Sequence, residues 1–218
     1  LVEALEDEVF FRGLATVIKT SSGDRKIPIV TSKGEAAWID EGGQFPESDD
    51  SFGQTSISAY KLATMIKVSD ELLNDSVFNI EAYISKEFAR RIGTKEEEAF
   101  FIGNGKGKPT GLFTSAETGI TAASTSITFD DVMDLYYSLR APYRNKATWL
   151  LNDSTVKAIR KLKDGNGNYI WQPSVREGEP DRILNRPYRT SIYVPEIAAG
   201  NRVMAIGDYS YYWIADRQ

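Results

Sequence analysis

The sequence predicts an α+β protein with three parts: a long helix, an extended β-hairpin and a compact α/β region. Three observations carry this reading. Ile80, Ile84, Phe88 and Ile92 recur at four-residue spacing, followed by Ala99 and Ile102, the repeat of one helix face. Two alternating segments, one at Ile27 and Ile29 and one from Gln54 to Ser69, bracket an acidic, turn-rich stretch, as in a hairpin. Beyond Thr128, helical patterns and short apolar runs follow one another.

The helix is expected over about 79–102. Asn79 is a good N-cap, and Gly103-Asn104-Gly105 is a strong stop. At 1.5 Å per residue this gives a rod of about 35 Å with one apolar stripe, suited to lie under a sheet. Glu96, Glu97 and Glu98 occupy consecutive positions, point in different directions and are read as solvent-facing charge.

The hairpin joins through Asp40–Gly53, which holds Gly42-Gly43, Pro46 and Glu47-Ser48-Asp49-Asp50, all poor strand formers. A returning strand of about 15 residues would reach roughly 50 Å, far beyond the usual five or six residues. Such an arm leaves Trp38, Ile39 and Phe45 without cover from its own core, so a neighbouring subunit is expected to cover them. An ordinary hairpin on a larger sheet fits the same periodicity.

In the α/β region, Thr128 and Asp131 resemble a capping box ahead of Val132, Leu135, Tyr136 and Leu139, with Pro142 past the helix end. Ala147–Leu151 reads as a buried strand, and Asn152, Asp153 and Ser154 offer caps for a short helix carrying Val156 and Ile159. Residues 164–186 read as a long loop, and strands are expected at Tyr188–Val194, Arg202–Ile206 and Tyr211–Ala215.

Composition narrows the chemistry. The 218 residues are 41% hydrophobic and 26% charged, as in ordinary globular proteins. No apolar run approaches the roughly 20 residues of a membrane helix. Glu3, Glu6, Asp7 and Glu8 make the start acidic, unlike a signal peptide, and the missing initiator Met is read as processing or trimming. With no Cys there is no thiolate nucleophile or disulfide, and with no His the commonest general base is gone. Neither a metal site nor a cofactor site is expected. The net charge is −5, the basic residues read as scattered, and Arg90, Arg91 and Lys95 are followed at once by three glutamates, against a DNA-binding face there.

Individual motifs fail on their details. Gly103–Gly111 is rich in Gly and Lys, but no Gly-Lys pair is followed by Ser or Thr, and it follows a helix rather than a strand. It is read as a helix stop with a flexible turn. Asp164-Gly165-Asn166-Gly167-Asn168 begins like a calcium loop, but Tyr169 and Val175 stand where a Gly and a Glu are required. Ser154-Thr155-Val156-Lys157 and Ser58–Lys61 match Ser-x-x-Lys without companion motifs, and Ser154 is better read as a helix cap. No catalytic residue is assigned.

The ordered combination of segments resembles the tailed-phage major capsid family with the Hong Kong 97 fold. Glu35–Gly42 with Phe45-Pro46-Glu47-Ser48 is similar to the tip of that family's extended loop. Lys61-Leu62-Ala63 and Val68–Ser76 resemble the returning strand and entry to the spine helix, and Gly103-Asn104-Gly105 with Pro109–Leu112 its exit. Leu162-Lys163-Asp164, Gly167–Ile170 and Asn185–Tyr188 resemble the axial domain, and Gly207-Asp208-Tyr209 the return to the peripheral domain. The resemblance implies a peripheral domain of 1–30, 54–118 and 207–218, an extended-loop tip of 31–53 and an axial domain of 119–206. It implies a non-catalytic subunit of hexamers and pentamers that enclose DNA without sequence-specific binding. The shell would form in the host cytoplasm with a scaffold, a maturation protease and a portal as partners, no membrane, and a final place in the virion. Trp38, Ile39, Phe45 and Pro46 are the expected subunit-interface residues. The family usually carries an N-terminal arm and a last peripheral strand, and neither is evident before Leu1 or after Gln218. Lys33 stands in the loop region without a crosslinking motif. The alternatives are an encapsulin-type compartment on the same fold and a small-molecule-binding module or enzyme, the latter calling for a deep polar pocket.

Overall fold

A 23-residue helix, Ile80–Ile102, is the longest described element, as the four-residue repeat predicts. The computed structural model describes residues 9–20, 25–32, 51–57, 59–67, 80–171 and 182–217. In chain order the elements are α1 (Phe11–Leu14), β1 (Thr16–Thr20), β2 (Arg25–Ser32), β3 (Ser51–Ile57), α2 (Ile80–Ile102), α3 (Leu112–Ser115), α4 (Phe129–Ser138) and α5 (Ala141–Arg144). They continue with β4 (Thr148–Leu151), α6 (Asp153–Arg160), β5 (Arg182–Ile183), β6 (Arg186–Thr190), β7 (Met204–Gly207), a 3₁₀ turn (Tyr209–Tyr211) and β8 (Trp213–Arg217). The chain divides into two compact units, residues 1–16 with 60–212 and residues 17–59 with 213–218.

The larger unit is built on a four-stranded sheet ordered β5-β6-β4-β7. β4 runs parallel to β6 and antiparallel to β7, so α6 begins the crossover that a parallel pair requires. Trp149, Leu150 and Leu151 are fully buried in β4, a near-continuous apolar run as befits a central strand covered on both faces. Trp149 and Leu151 pack with Val132 of α4 and Val156 and Ile159 of α6. The indole N–H of Trp149 donates to the Ile183 carbonyl at 3.0 Å, which settles the one polar atom of that side chain.

The caps follow the sequence signals closely. Thr128 and Asp131 form a reciprocal capping box: the Asp131 N–H donates to Thr128 Oγ1 at 3.2 Å, and the Thr128 N–H donates to Asp131 Oδ2 at 2.8 Å. Thr128→Ala removes half of this exchange and is expected to lower unfolding free energy by about 1 kcal/mol in urea titration. The α6 cap is Asn152, whose Oδ1 accepts the Ser154 N–H at 2.9 Å and whose Nδ2 donates to the Val194 carbonyl at 3.0 Å. Pro142 lies past α4, as expected, and opens α5, where its missing N–H is not needed.

Four expectations are corrected. β3 is not a 15-residue strand; it runs only from Ser51 to Ile57, and its first residues belong to the stretch taken as turn. The last described residue of β3 pairs with the first of β2, Ile57 with Arg25. Residues 59–67 continue the alternation without a ladder partner among the described residues. The loop expected to reach 186 contains β5, joined to β6 through Leu184 and Asn185, both at positive φ (47° and 63°). That two-residue connection is a primed hairpin turn, written without the usual glycine and therefore silent in the sequence. The strand expected at Tyr188–Val194 is β6, ending at Thr190 before a turn at Ser191–Val194. Lastly, Tyr211 closes a 3₁₀ turn capped by Asp208, and the final strand begins at Trp213.

The segment after α2 is a closed clasp rather than a flexible turn. The Gly111 N–H donates to the Gly103 carbonyl at 2.8 Å, and Asn104 bridges Thr110. The backbones approach so closely that a Cβ on Gly103 would lie 2.0 Å from the Pro109 carbonyl oxygen.

Candidate functional site

The C-terminal turns of α2 build the most densely tied site among the described residues. Glu97, Phe100 and Phe101 share one face, being three and four positions apart. All three are buried, and Glu97 is only 1% exposed. Its Oε1 accepts the N–H groups of Phe10 and Phe11 at 3.3 and 3.2 Å, and its Oε2 accepts that of Phe11 at 3.3 Å. These N–H groups start α1 and have no helical acceptor of their own. Burial raises the Glu97 carboxyl above its ordinary value; the two N–H donors pull it back, and the neighbouring Glu96 charge pushes it further up. Glu96 itself holds Arg12 through Nε and Nη2 at 3.2 and 3.1 Å. Phe11 then enters a ring cluster, 5.2 Å from Phe101, 5.9 Å from Tyr209 and 5.1 Å from Tyr212. Burial pushes the Tyr212 hydroxyl up to about 12, and that hydroxyl donates to the Thr110 carbonyl at 2.7 Å. The site pins residues 9–14 and 209–212 to the end of α2.

The reading of Glu97 as solvent-facing is therefore wrong, while Lys95 and Glu98 do form an exposed pair at 2.6 Å. Three successive helical residues span about 200° of the helix surface. A helix packed on one side cannot keep them all in water, and the spacing of Glu97 to Phe100-Phe101 was the available signal.

A second site lies along α6. Lys157, Arg160 and Lys161 line an open groove of about 1040 Å³ with Tyr169, Trp171 and Tyr188. The Arg160 guanidinium sits 4.8 Å from the centre of the Trp171 ring, and the Lys163 ammonium 4.9 Å from that of Tyr169, distances at which ring faces hold cations. Asp153 is the carboxylate in the lining. The basic residues are not scattered, as whole-chain composition suggested. Between Arg140 and Thr190 eleven of the 26 basic residues stand with five of the 31 acidic ones, a local charge of +6 in a chain of −5.

The rejected motifs have structural employment. Ser154 is not the cap; its hydroxyl donates to the capping Asn152 Oδ1 at 2.9 Å. Asp164 accepts the backbone N–H groups of Asn166 and Asn168 at 2.9 and 2.8 Å. These and the Asn168 amide hold its carboxyl below the usual range, which makes it a turn-closing residue. Among the described residues no cluster of three potential metal ligands occurs, and no helix is long and apolar enough to cross a membrane.

Trp38, Ile39, Phe45 and Pro46 lie outside the described residues. Their hairpin is described at its stem, where β2 and β3 pair from Arg25 with Ile57 to Ser32 with Ser51, with an irregularity between Val30 and Ser32.

Comparison with known proteins gives consistent results. The profile of the phage capsid family matches residues 1–218. The major capsid protein of Klebsiella oxytoca phage phiKO2 is 23% identical over 190 residues, 82% of this chain and 44% of that protein. The major capsid protein of Halomonas phage phiHAP-1 is 28% identical over 124 residues, 56% of this chain and 20% of that one. The chain thus spans less than half the length of either relative. Among solved structures, the capsid of a native GTA particle computed with C5 symmetry is similar with a TM-score of 0.88 at 29% identity. The match covers 99% of this chain and 79% of the GTA chain.

Proposed function

The chain belongs to the phage capsid family, and from that premise we propose that it is the major capsid protein of a tailed phage. Its copies join into capsomers and a closed shell around DNA, without sequence-specific contact and without catalysis. The likeness to a capsid subunit over nearly the whole chain carries this reading. Relatives named as major capsid proteins favour a phage shell over an encapsulin-type compartment. In the Hong Kong 97-like arrangement, α2 is the spine helix of a peripheral domain made of 1–30, 54–118 and 207–218. Residues 31–53 form the tip of the extended loop and 119–206 the axial domain. Further partners are a scaffold, a maturation protease and a portal, with assembly in the host cytoplasm and a final place in the virion.

Trp38, Ile39, Phe45 and Pro46 are the proposed contacts of the loop tip with a neighbouring subunit, where large apolar side chains bury against a second surface. Negative-stain electron microscopy of the full-length protein, produced with its scaffold and protease, is expected to show closed shells of uniform diameter. A monodisperse monomer under every condition overturns the reading. Trp38→Ala is expected to reduce shell yield while leaving the unfolding midpoint of the subunit unchanged; an unchanged yield removes Trp38 from the interface.

A further inference from the structure

Two Asn-Gly pairs occur in the chain, Asn104-Gly105 and Asn166-Gly167. In such a pair the glycine has no side chain to block the approach of its nitrogen to the asparagine side-chain carbon, and Asn is among the thermally labile residues. As dipeptides the two are identical; their surroundings differ.

Asn104 and Gly105 are tied at three points. Asn104 Oδ1 accepts the Lys106 N–H at 3.1 Å, the Asn104 backbone bridges Thr110, and the Gly105 carbonyl accepts the Tyr60 hydroxyl at 3.2 Å. A Cβ on Gly105 would lie 2.7 Å from Thr110 Oγ1, so the space beside that peptide is filled. Bringing the Gly105 nitrogen onto the Asn104 side chain therefore requires the clasp after α2 to open. Asn166 and Gly167, by contrast, are both exposed. The Asn166 side-chain amide makes no hydrogen bond among the described residues, and nothing stands within 4 Å of a Cβ built on Gly167. Their link is held by Asp164, whose carboxylate accepts the Asn166 N–H at 2.9 Å and whose carbonyl accepts the Gly167 N–H at 3.0 Å. The bonds of one exposed turn open locally at small cost.

We propose that Asn166 is a site of spontaneous deamidation, converted to aspartate and isoaspartate, while the same dipeptide at Asn104 is protected by the fold. The Gly167 nitrogen gives its proton to hydroxide and attacks Asn166 Cγ. The new C–N bond forms as the C–NH₂ bond breaks, and the amide nitrogen takes up a proton and leaves as ammonia. Water then opens the cyclic imide at either carbonyl, leaving the carboxyl on the side chain or on the main chain. Nothing is oxidised or reduced: one water enters and one ammonia departs. Either product places a new carboxylate beside Gly167, Asn168 and Tyr169, which line the α6 groove. The isoaspartyl product also lengthens the backbone by one atom, so Asp164 loses the register in which it holds the N–H groups of Asn166 and Asn168. The proposal does not depend on the shell reading.

The test keeps the full chain in mildly alkaline buffer, folded in one series and in concentrated urea in another. Peptide mapping by mass spectrometry follows each site, since conversion adds about 1 Da, and chromatographic retention separates the two products. In the folded chain Asn166 is expected to convert about tenfold faster than Asn104, the difference being the cost of opening the clasp. In urea the two sites are expected to convert at similar rates. Asn166→Gln, whose longer side chain closes the ring poorly, is expected to remove the fast conversion, with circular dichroism verifying an unchanged fold. Equal rates at the two sites in the folded chain overturn the proposal, as does conversion of Asn166 in urea alone. A gap that persists in urea overturns it too, because it traces the difference to neighbouring residues rather than to the fold.

Discussion

Glu97→Ala is expected to lower the free energy of unfolding by about 3 kcal/mol, because it takes the acceptor from the buried Phe11 N–H and the partly buried Phe10 N–H. Glu97→Gln is expected to behave differently. The amide oxygen can still accept both N–H groups, and no charge has to be desolvated. Since burial raises the folded-state value of Glu97, its stabilising contribution is fully present below the unfolded value and is lost as pH rises through the folded one. Wild type should therefore lose stability relative to Glu97→Gln as pH rises above the ordinary carboxylate value of 4.5, with the charges of Glu96 and Arg12 nearby in both proteins. Urea unfolding of all three proteins at several pH values measures this. A wild-type-minus-Gln difference that stays flat or grows with pH would show that the two N–H donors outweigh the burial.

The same carboxylate marks where the sequence stops being legible. Signals confined to a few neighbouring residues survived: the Ile80–Ile102 repeat, the Thr128–Asp131 capping box, the Asn152 cap and the apolar run of β4. Each depends on contacts a turn or less apart, so the residues that specify it are adjacent in the chain. What failed depends on distant partners. β3 is held by β2, whose Arg25 pairs with Ile57 32 positions away. The fate of Glu97 is decided by Phe10 and Phe11, 86 to 87 residues earlier. The basic groove was hidden by averaging, since a chain of −5 conceals a +6 span when only totals and one helix are inspected. The primed turn at Leu184-Asn185 carries no glycine, so it lacked the residue that normally announces it.

Gly103→Ala is expected to be the more damaging change, about 4 kcal/mol by urea unfolding. The new Cβ would lie 2.0 Å from the Pro109 oxygen and 2.4 Å from that of Ala99. Both are backbone atoms, so no side-chain rotation relieves the overlap. The chain must instead draw apart, giving up the Gly111–Gly103 hydrogen bond and the bridge between Asn104 and Thr110. Thr110 is also where the Tyr212 hydroxyl lands, so the strain reaches the ring cluster that pins α1 and the 3₁₀ turn to α2. Gly107→Ala in the same segment is the control. Its φ is +70° but nothing stands within 4 Å, so only the left-handed backbone penalty applies, about 1 kcal/mol. Equal losses for the two variants would mean that the segment is the flexible turn its composition suggests; a large gap establishes a clasp whose two arms must touch before the end of α2 can receive Phe11.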